Sequence, residues 1–171
     1  MRSIREYTLK KPLEFKTKLL QWAQQFEEVI WLDSNHYAQK YSSYDAVLAV
    51  DAFTTIKTDY TNSFETLKEY QQQTKDWIFG YLSYDLKNDV ENLSSTNSDP
   101  QEFPDLFFFQ PKKIFLLKDD VLEMHYLHMV DDEIEEDFNE IEAININVEK
   151  EGDSSCGKVK ISLRITKDIY K

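Results

Sequence analysis

Cysteine and glycine are nearly absent from this sequence, and each shortage narrows what the chain can do. The one cysteine, Cys156, cannot form an intrachain disulfide, which favours the cytoplasm as its compartment. No base accompanies Cys156 in the sequence, so we do not expect it to act as a nucleophile. With three glycines in the whole chain, a glycine-rich phosphate-binding loop is excluded.

Long apolar runs and an excess of positive charge are also missing. No apolar run approaches the roughly 20 residues that cross a bilayer, and the N-terminus lacks the apolar segment of a signal peptide. The chain carries 20 basic and 32 acidic residues, a net charge of −12. We therefore expect it to bind neither nucleic acid nor a membrane. Aromatic residues make up 14% of the chain, which is typical of a packed domain.

The chain has 171 residues, enough for one domain with a sizeable core. Apolar periodicity predicts strands and helices along the whole chain. The predicted strands are residues 3–9, 29–32, 44–51, 53–58, 77–84, 106–109, 113–118, 121–129 and 158–165. The predicted helices are residues 13–28, 64–73, 86–93 and 131–143, with a further helix beginning at Thr166. The predicted N-terminal cap of the second helix is Asn62 or Ser63. The predicted N-terminal cap of the third helix is Asp85. Asp119 and Asp120 are predicted to form a hairpin turn.

No strong catalytic motif is present. His36, His125 and His128 do not have the spacing of metal ligands, and the last two are predicted on opposite sides of a strand. The acidic residues between 131 and 137 crowd the first turns of a predicted helix, where the helix dipole favours negative charge. They lack the alternating ligands of a calcium loop. We therefore expect no complete active site in this chain.

The richest polar segment is the loop between the strands at 29–32 and 44–51. Ser34, Tyr41, Ser42 and Tyr44 offer hydroxyl groups and aromatic faces, and Lys40 can contact a carboxylate. An amino-acid-sized ligand needs this mixture of apolar surface and a few polar anchors. The other interpretation is a tyrosine-rich surface turn, and spacing alone favours it.

Several segments, in one order, resemble the N-terminal domain of the component I enzymes that use chorismate. This family includes anthranilate synthase and aminodeoxychorismate synthase, and the resemblance spans about residues 25–171. The matching segments are Trp31-Leu32-Asp33-Ser34, Tyr41-Ser42-Ser43-Tyr44-Asp45, Gly80-Tyr81-Leu82-Ser83-Tyr84-Asp85-Leu86, Pro104-Asp105 and Ile165-Thr166-Lys167-Asp168-Ile169-Tyr170.

The chain departs from the family pattern at several positions, and some of these departures distinguish the anthranilate branch from the aminobenzoate branch. Phe79 stands where the family usually has a glycine. Asp33 stands where anthranilate synthases carry glutamate, and the spacing between Ser34 and Tyr41 also suits the aminobenzoate branch better. The chain is thus most similar to aminodeoxychorismate synthase component I.

The resemblance implies an α+β fold, with antiparallel, sandwich-like sheets and flanking helices that wrap against a larger catalytic domain. Residues 1–157 would be the N-terminal domain. Residues 158–171 would be its last strand and the truncated start of the catalytic domain. The resemblance further implies a pocket of the tryptophan-binding type. Its residues would be Leu32, Ser34, Lys40, Tyr41, Ser42 and Tyr44.

The resemblance implies that these 171 residues are not catalytic by themselves. The parent enzyme would aminate chorismate towards para-aminobenzoate and folate. Its partner would be a glutamine amidotransferase subunit, component II, that supplies ammonia. No cofactor is expected in this chain, and Mg²⁺ is expected in the absent catalytic domain. Two alternatives stay open: the N-terminal domain of anthranilate synthase component I, with a tryptophan feedback site, and a stand-alone acidic protein-interaction domain.

Overall fold

The chain folds around an antiparallel sheet in a computed structural model that describes residues 1–35, 37, 43–59, 61–91 and 103–146. The fold class is α+β, as predicted, with six strands and four helices among these residues. The strands are β1 (Arg2–Thr8), β2 (Val29–Asp33), β3 (Ala46–Thr58), β4 (Phe79–Leu82), β5 (Leu106–Lys118) and β6 (Val121–Leu127). The helices are α1 (Pro12–Ala23), α2 (Ser63–Thr74), α3 (Lys87–Val90) and α4 (Ile134–Ala143).

Strands β3 and β5, of 13 residues each, are the centre of the sheet. The strand order is β1-β6-β5-β3-β2, and β4 pairs separately with β5. The first part of β5 pairs with β4, whereas its second part pairs with β6. In the register, Leu48 lies opposite Phe115, and Phe115 lies opposite Met124. One apolar row therefore crosses three strands.

The sheet bends in the middle of β3 and β5. The sequence predicts two strands divided at Gln110 and Pro111, and the structure has one strand with an irregular centre. A register shift occurs in β3 between Ala52 and Thr54, where one extra residue forms a bulge. Phe109 and Ile114 are an odd number of residues apart, yet they pack in one cluster. In a regular strand they would lie on opposite faces. The alternation of side chains in β5 is therefore interrupted between these two residues.

The hydroxyl group of Tyr70, in α2, forms hydrogen bonds with backbone groups on both strands at the bulge. Its hydroxyl accepts a hydrogen bond from the backbone N–H of Gln110 at 3.0 Å and donates to the carbonyl of Thr54 at 2.9 Å. A bulge leaves backbone groups without ladder partners, and buried backbone groups need partners. Tyr70 satisfies two of them and ties α2 to the sheet.

Helices α1 and α4 pack on one face of the sheet and form the helix-side cluster with it. The predicted apolar stripe of α1 is confirmed, although the helix ends at Ala23 and not at residue 28. On the opposite face lies the far-side cluster of Ala49, Phe79, Phe109, Ile114 and Leu116. The alternation of β3 places apolar residues on both faces, as the sequence of the strand at 44–51 predicts, and β5 has apolar residues on both faces as well.

Two predicted helix caps are wrong. Asn62 precedes α2 with a left-handed backbone, and its side chain makes no capping hydrogen bond. Asp89 of α3 takes that role instead, because its carboxylate accepts from the N–H groups of Asn62 and Ser63 at 2.7 and 2.9 Å. Before α3, the Ser83 hydroxyl accepts from the N–H of Asp85 at 3.1 Å, so the serine is the cap of the 3₁₀ turn there.

Other predicted details change as well. Phe64, expected to face inward, has an exposed side chain. The strand predicted at 77–84 is confined to β4. A glycine inside a strand indicates a bulge or a close backbone approach, and at Gly80 the structure shows the close approach. A Cβ atom on Gly80 would lie 1.9 Å from the carbonyl oxygen of Phe107. His128 begins a 3₁₀ turn and is not part of β6. The predicted strand at 158–165, Cys156 and the domain boundary at 157 lie outside the described residues.

Candidate functional site

The candidate pocket lies where β2 ends and β3 begins. Leu32 is paired with Val47, and Asp33 with Ala46, so the two strands converge on the loop. The N–H of Ser34 donates to the carbonyl of Asp45 at 2.9 Å and adds one more link beyond the ladder. Ser34 is therefore held by the backbone at the corner of the sheet.

Three of the six predicted pocket residues can be placed. Leu32 is 54% exposed and shares the far side of the sheet with its partner Val47. Tyr44 is half-buried and, like Val47, packs against the far-side cluster. Leu32, Ser34 and Tyr44 thus meet at one corner, next to an apolar surface. The remaining predicted residues, Lys40, Tyr41 and Ser42, lie outside the described residues.

Two aspartates fix this corner, and sequence reasoning assigned neither of them this role. Asp33 forms an ion pair with Lys16 of α1, with an N–O distance of 3.2 Å. The Asp45 carboxylate accepts from the N–H of Asp119 at 2.6 Å, and its own N–H donates to Leu117. Asp33 therefore links β2 to a helix, and Asp45 links the loop to the β5–β6 turn.

Two of the segments that resemble the component I family contact each other. Ser83 follows β4, and Asp105 precedes β5. The Ser83 hydroxyl donates to the Asp105 carboxylate at 2.5 Å, and the Ser83 N–H donates to the Asp105 carbonyl at 2.7 Å. The sequence pattern of each segment does not predict this contact.

A buried ionic cluster between the sheet and α4 was missed altogether. The Lys113 ammonium lies 2.6 Å from the Asp137 carboxylate and 2.6 Å from that of Glu133. The Tyr126 hydroxyl donates to Asp137 at 2.7 Å. The ring of Trp22 also faces the ammonium, 5.5 Å from ring centre to nitrogen. The only sequence signal is a lysine in an apolar strand and an aspartate within the apolar stripe of a helix.

The electrostatics of this cluster keep its polar groups in one protonation state. Burial lowers the pKa of Lys113, but hydrogen bonds to Asp137 and Glu133 outweigh it and hold that pKa above its usual value. Burial and the charge of Asp137 raise the pKa of Tyr126 far above its usual value. A charged lysine and a neutral phenol bound to carboxylates tie α4 to the sheet. This arrangement is structural in character.

Ser3, His128 and Asp131 also lie together, but they do not have the geometry of a nucleophilic triad. The Ser3 hydroxyl is 2.8 Å from Nδ1 of His128, and Asp131 is 3.2 Å from the same nitrogen. In a triad, the serine and the aspartate contact different nitrogens of the ring. The three side chains therefore form a polar surface contact between β1 and the turn after β6.

The part of the chain that the structure describes contains no group of three or more His, Cys, Asp or Glu side chains arranged to hold a metal ion. Within the same residues, no helix has the length and apolar character needed to cross a membrane.

No family model matches the chain, and no curated protein sequence matches it at a significant level.

Proposed function

We propose that this chain is the N-terminal domain of an aminodeoxychorismate synthase component I-like enzyme, with a structural or regulatory pocket of the tryptophan-binding type. The observation that supports this most is the meeting of Leu32, Ser34 and Tyr44 at one corner of the sheet. Segments with a family-like pattern on both sides of a loop come together there next to the far-side cluster.

The chemistry of the corner suits an aromatic amino acid. Leu32 and Tyr44 offer an apolar surface for an indole ring, and Ser34 offers a hydroxyl group at its edge. A pocket for a small ligand combines such apolar walls with a few polar groups that fix orientation. In this proposal Lys40 contacts the ligand carboxylate, and Tyr41 and Ser42 complete the site.

The fold and a second contact add support. An antiparallel sheet with helices on one face and an apolar cluster on the other suits a domain that packs against a second layer. The proposed second layer is the catalytic domain of the same enzyme. The hydrogen bonds between Ser83 and Asp105 join two family-like segments and hold β4 beside the start of β5.

The proposed parent enzyme replaces the hydroxyl group of chorismate with an amino group. Mg²⁺ and the chorismate-binding residues belong to its catalytic domain, and ammonia comes from a glutamine amidotransferase subunit. The residues described here carry no step of that reaction in this proposal. Their role is to hold the effector pocket and to support the catalytic domain.

Two alternative functions differ from this proposal in what the protein does with chorismate. An anthranilate synthase would form anthranilate from chorismate and would be inhibited by tryptophan. A stand-alone acidic interaction domain would leave chorismate unchanged. The net charge of −12 is the feature that favours the latter, because it suits basic partners.

Titration of the ¹⁵N-labelled chain with L-tryptophan, followed by NMR, tests the pocket. We expect chemical-shift changes at Leu32, Ser34 and Tyr44, and weaker binding in Ser34→Ala. Ser43→Ala, an exposed serine of the same loop, is the matched control and should bind as the wild type does. Shift changes confined to another surface, or equal binding by the two variants, would contradict the proposed pocket.

A further inference from the structure

A second cleft, which shares no residue with the proposed pocket, lies between the start of α1 and the end of α4. Its volume is about 410 Å³, within the range of small-molecule sites. Phe15 and Phe138 lie at its apolar side, and the side chains of Lys10, Lys11 and Lys18 surround it. This combination of aromatic surface and lysines occurs in a chain with strong negative net charge.

The aromatic side of the cleft is formed by packed rings. Phe138 stacks on Tyr7 with a centroid distance of 3.9 Å and an interplanar angle of 7°. Phe15 lies 6.0 Å from Phe138 and is fully buried in the helix-side cluster. Phe138, fixed from behind in this way, presents a preformed surface, so a flat ligand would lose little free energy to rearrangement of the protein.

Lys18 is the most buried cation of the cleft. Its side chain is only 12% exposed, and its ammonium donates to the carbonyl of Glu142 at 2.7 Å. It lies 3.5 Å from Glu14, which also pairs with Lys11 at 2.9 Å. Because an ammonium carries three donors, one carbonyl and one shared carboxylate leave capacity for another acceptor.

The charges around the cleft leave an excess of one positive charge. Lys10, Lys11 and Lys18 face two carboxylates, Glu14 and Glu142. A cation would be repelled by these ammonium groups, and a neutral ligand would gain less from them than an anion does. A compact polyanion would meet aromatic rings without hydrogen-bond donors on one side. A single negative charge on an apolar body fits both parts of the cleft.

We propose that this cleft binds a small organic anion with a flat apolar body, of the class of aromatic monocarboxylates. The ring lies against the half-buried Phe138, and the carboxylate receives charge-assisted hydrogen bonds from Lys10 and Lys18. Such bonds are shorter and stronger than those between neutral groups. The site is independent of the tryptophan-type pocket, and its existence does not rest on the proposed function.

Binding of 2-naphthoate, measured by its fluorescence and by calorimetry, tests the proposal, with neutral 2-naphthylmethanol as the matched ligand. We expect the carboxylate to bind at least about tenfold more tightly than the alcohol, since charge-assisted hydrogen bonds supply the difference. Lys10→Met and Lys18→Met should each weaken binding of the carboxylate by about fivefold to tenfold and leave the alcohol unchanged.

The control variant is Lys68→Met, an exposed lysine of α2 that pairs with Glu65. It should bind 2-naphthoate as the wild type does. Lys10 is exposed, so Lys10→Met also tests the cleft without disturbing the core. Equal affinity for the acid and the alcohol would overturn the proposal. Equal loss of affinity in Lys10→Met and Lys68→Met would overturn it as well, because binding would then follow net charge alone.

Discussion

Helices α1 and α4 differ from α2 and α3 in how they are attached to the same sheet. α1 buries four apolar residues, including Phe15, Leu19 and Trp22, and α4 buries Ile134 and Ile141. In α2 the only buried residue is Ser63, and α3 buries none. The first pair is held mainly by apolar burial, whereas the second pair is held by individual hydrogen bonds.

The consequence is a difference in local stability. Burying a leucine-sized side chain contributes about 1.5–3 kcal/mol, while one intramolecular hydrogen bond contributes about 0.5–1.5 kcal/mol net. Regions with few buried apolar residues open at lower free energy than the core. We therefore expect α2, α3 and β4 to exchange amide hydrogens before α1, α4 and the central strands. The hydrogen bonds of Asp89 and Tyr70, together with the ion pair between Asp76 and Arg2 at 2.9 Å, set the free energy of this local opening.

The largest expected effect is in the helix-covered half, at the buried lysine. Lys113→Met leaves the Asp137 carboxylate buried without its cation and should reduce the free energy of unfolding by about 3–5 kcal/mol. Urea denaturation measures this, with Lys68→Met as the exposed control that should cost less than about 1 kcal/mol. A triple variant, Lys113→Met with Asp137→Leu and Tyr126→Phe, should regain at least half of the loss, because the buried polar groups are then removed and Glu133, 45% exposed, can be solvated. Equal effects of Lys113→Met and Lys68→Met would show that the cluster is not structural.

At the other end of the sheet, Gly80→Ala should reduce the free energy of unfolding by about 2–3 kcal/mol, a loss typical of an overpacked site. The added Cβ would meet the Phe107 carbonyl and the Phe108 backbone, 2.6 Å away, so β4 must move off β5. Hydrogen exchange should be faster in β4 and unchanged in β6. Leu82→Ala, at an exposed position of the same strand, is the control. If Gly80→Ala were tolerated within about 0.5 kcal/mol, the close approach of the two strands would be wrong.

A smaller effect is expected from the long-range cap of α2. Asp89→Ala removes the acceptor of the first N–H groups of the helix and should cost about 1 kcal/mol, as loss of a cap usually does. Amide exchange should accelerate in α2 by about fivefold and remain unchanged in α1. Glu91→Ala removes one exposed charge nearby and serves as the control. Acceleration in both helices would mean that the two regions unfold together.

The smallest effect concerns pH. Burial raises the pKa of Asp76, but hydrogen bonds from Arg2 and Gln110 outweigh burial, and the net pKa lies below its usual value. A carboxyl whose pKa is lower in the folded state stabilises the fold above its unfolded pKa of about 3.9, and this contribution is lost as pH falls through the folded value. The stability difference between wild type and Asp76→Asn should therefore be constant from pH 7 to about 5 and shrink below about 4. A difference that grew on acidification would contradict this direction.

Periodicity predicted the elements with many apolar residues, and it also predicted α2, whose range of 64–73 lies within one residue of Ser63–Thr74 at each end. The stripe of α1 and the two-sided apolar pattern of β3 were visible because each reports burial directly. Lys113, Asp89 and Tyr70 were missed because their partners are 24, 26 and 40 residues away in sequence. No local pattern shows whether a polar side chain will meet a distant partner.

The candidate site was predicted in part. The strand, loop and strand around it are present, and Leu32, Ser34 and Tyr44 lie at the same corner. The pairing of Asp33 with Lys16 could not be read from the sequence, since an aspartate after a strand caps a turn as readily as it forms an ion pair. The use of that corner for tryptophan stays a prediction, as does the link to chorismate.

The most direct test of the proposed function is an assay of the full-length protein that carries this chain, with chorismate, Mg²⁺ and ammonia, followed by identification of the product. We expect aminodeoxychorismate from the full-length protein and no conversion by residues 1–171 alone. Formation of anthranilate would move the protein to the neighbouring branch. Chorismate left unchanged by the full-length protein, or aminated by residues 1–171 alone, would contradict the proposal.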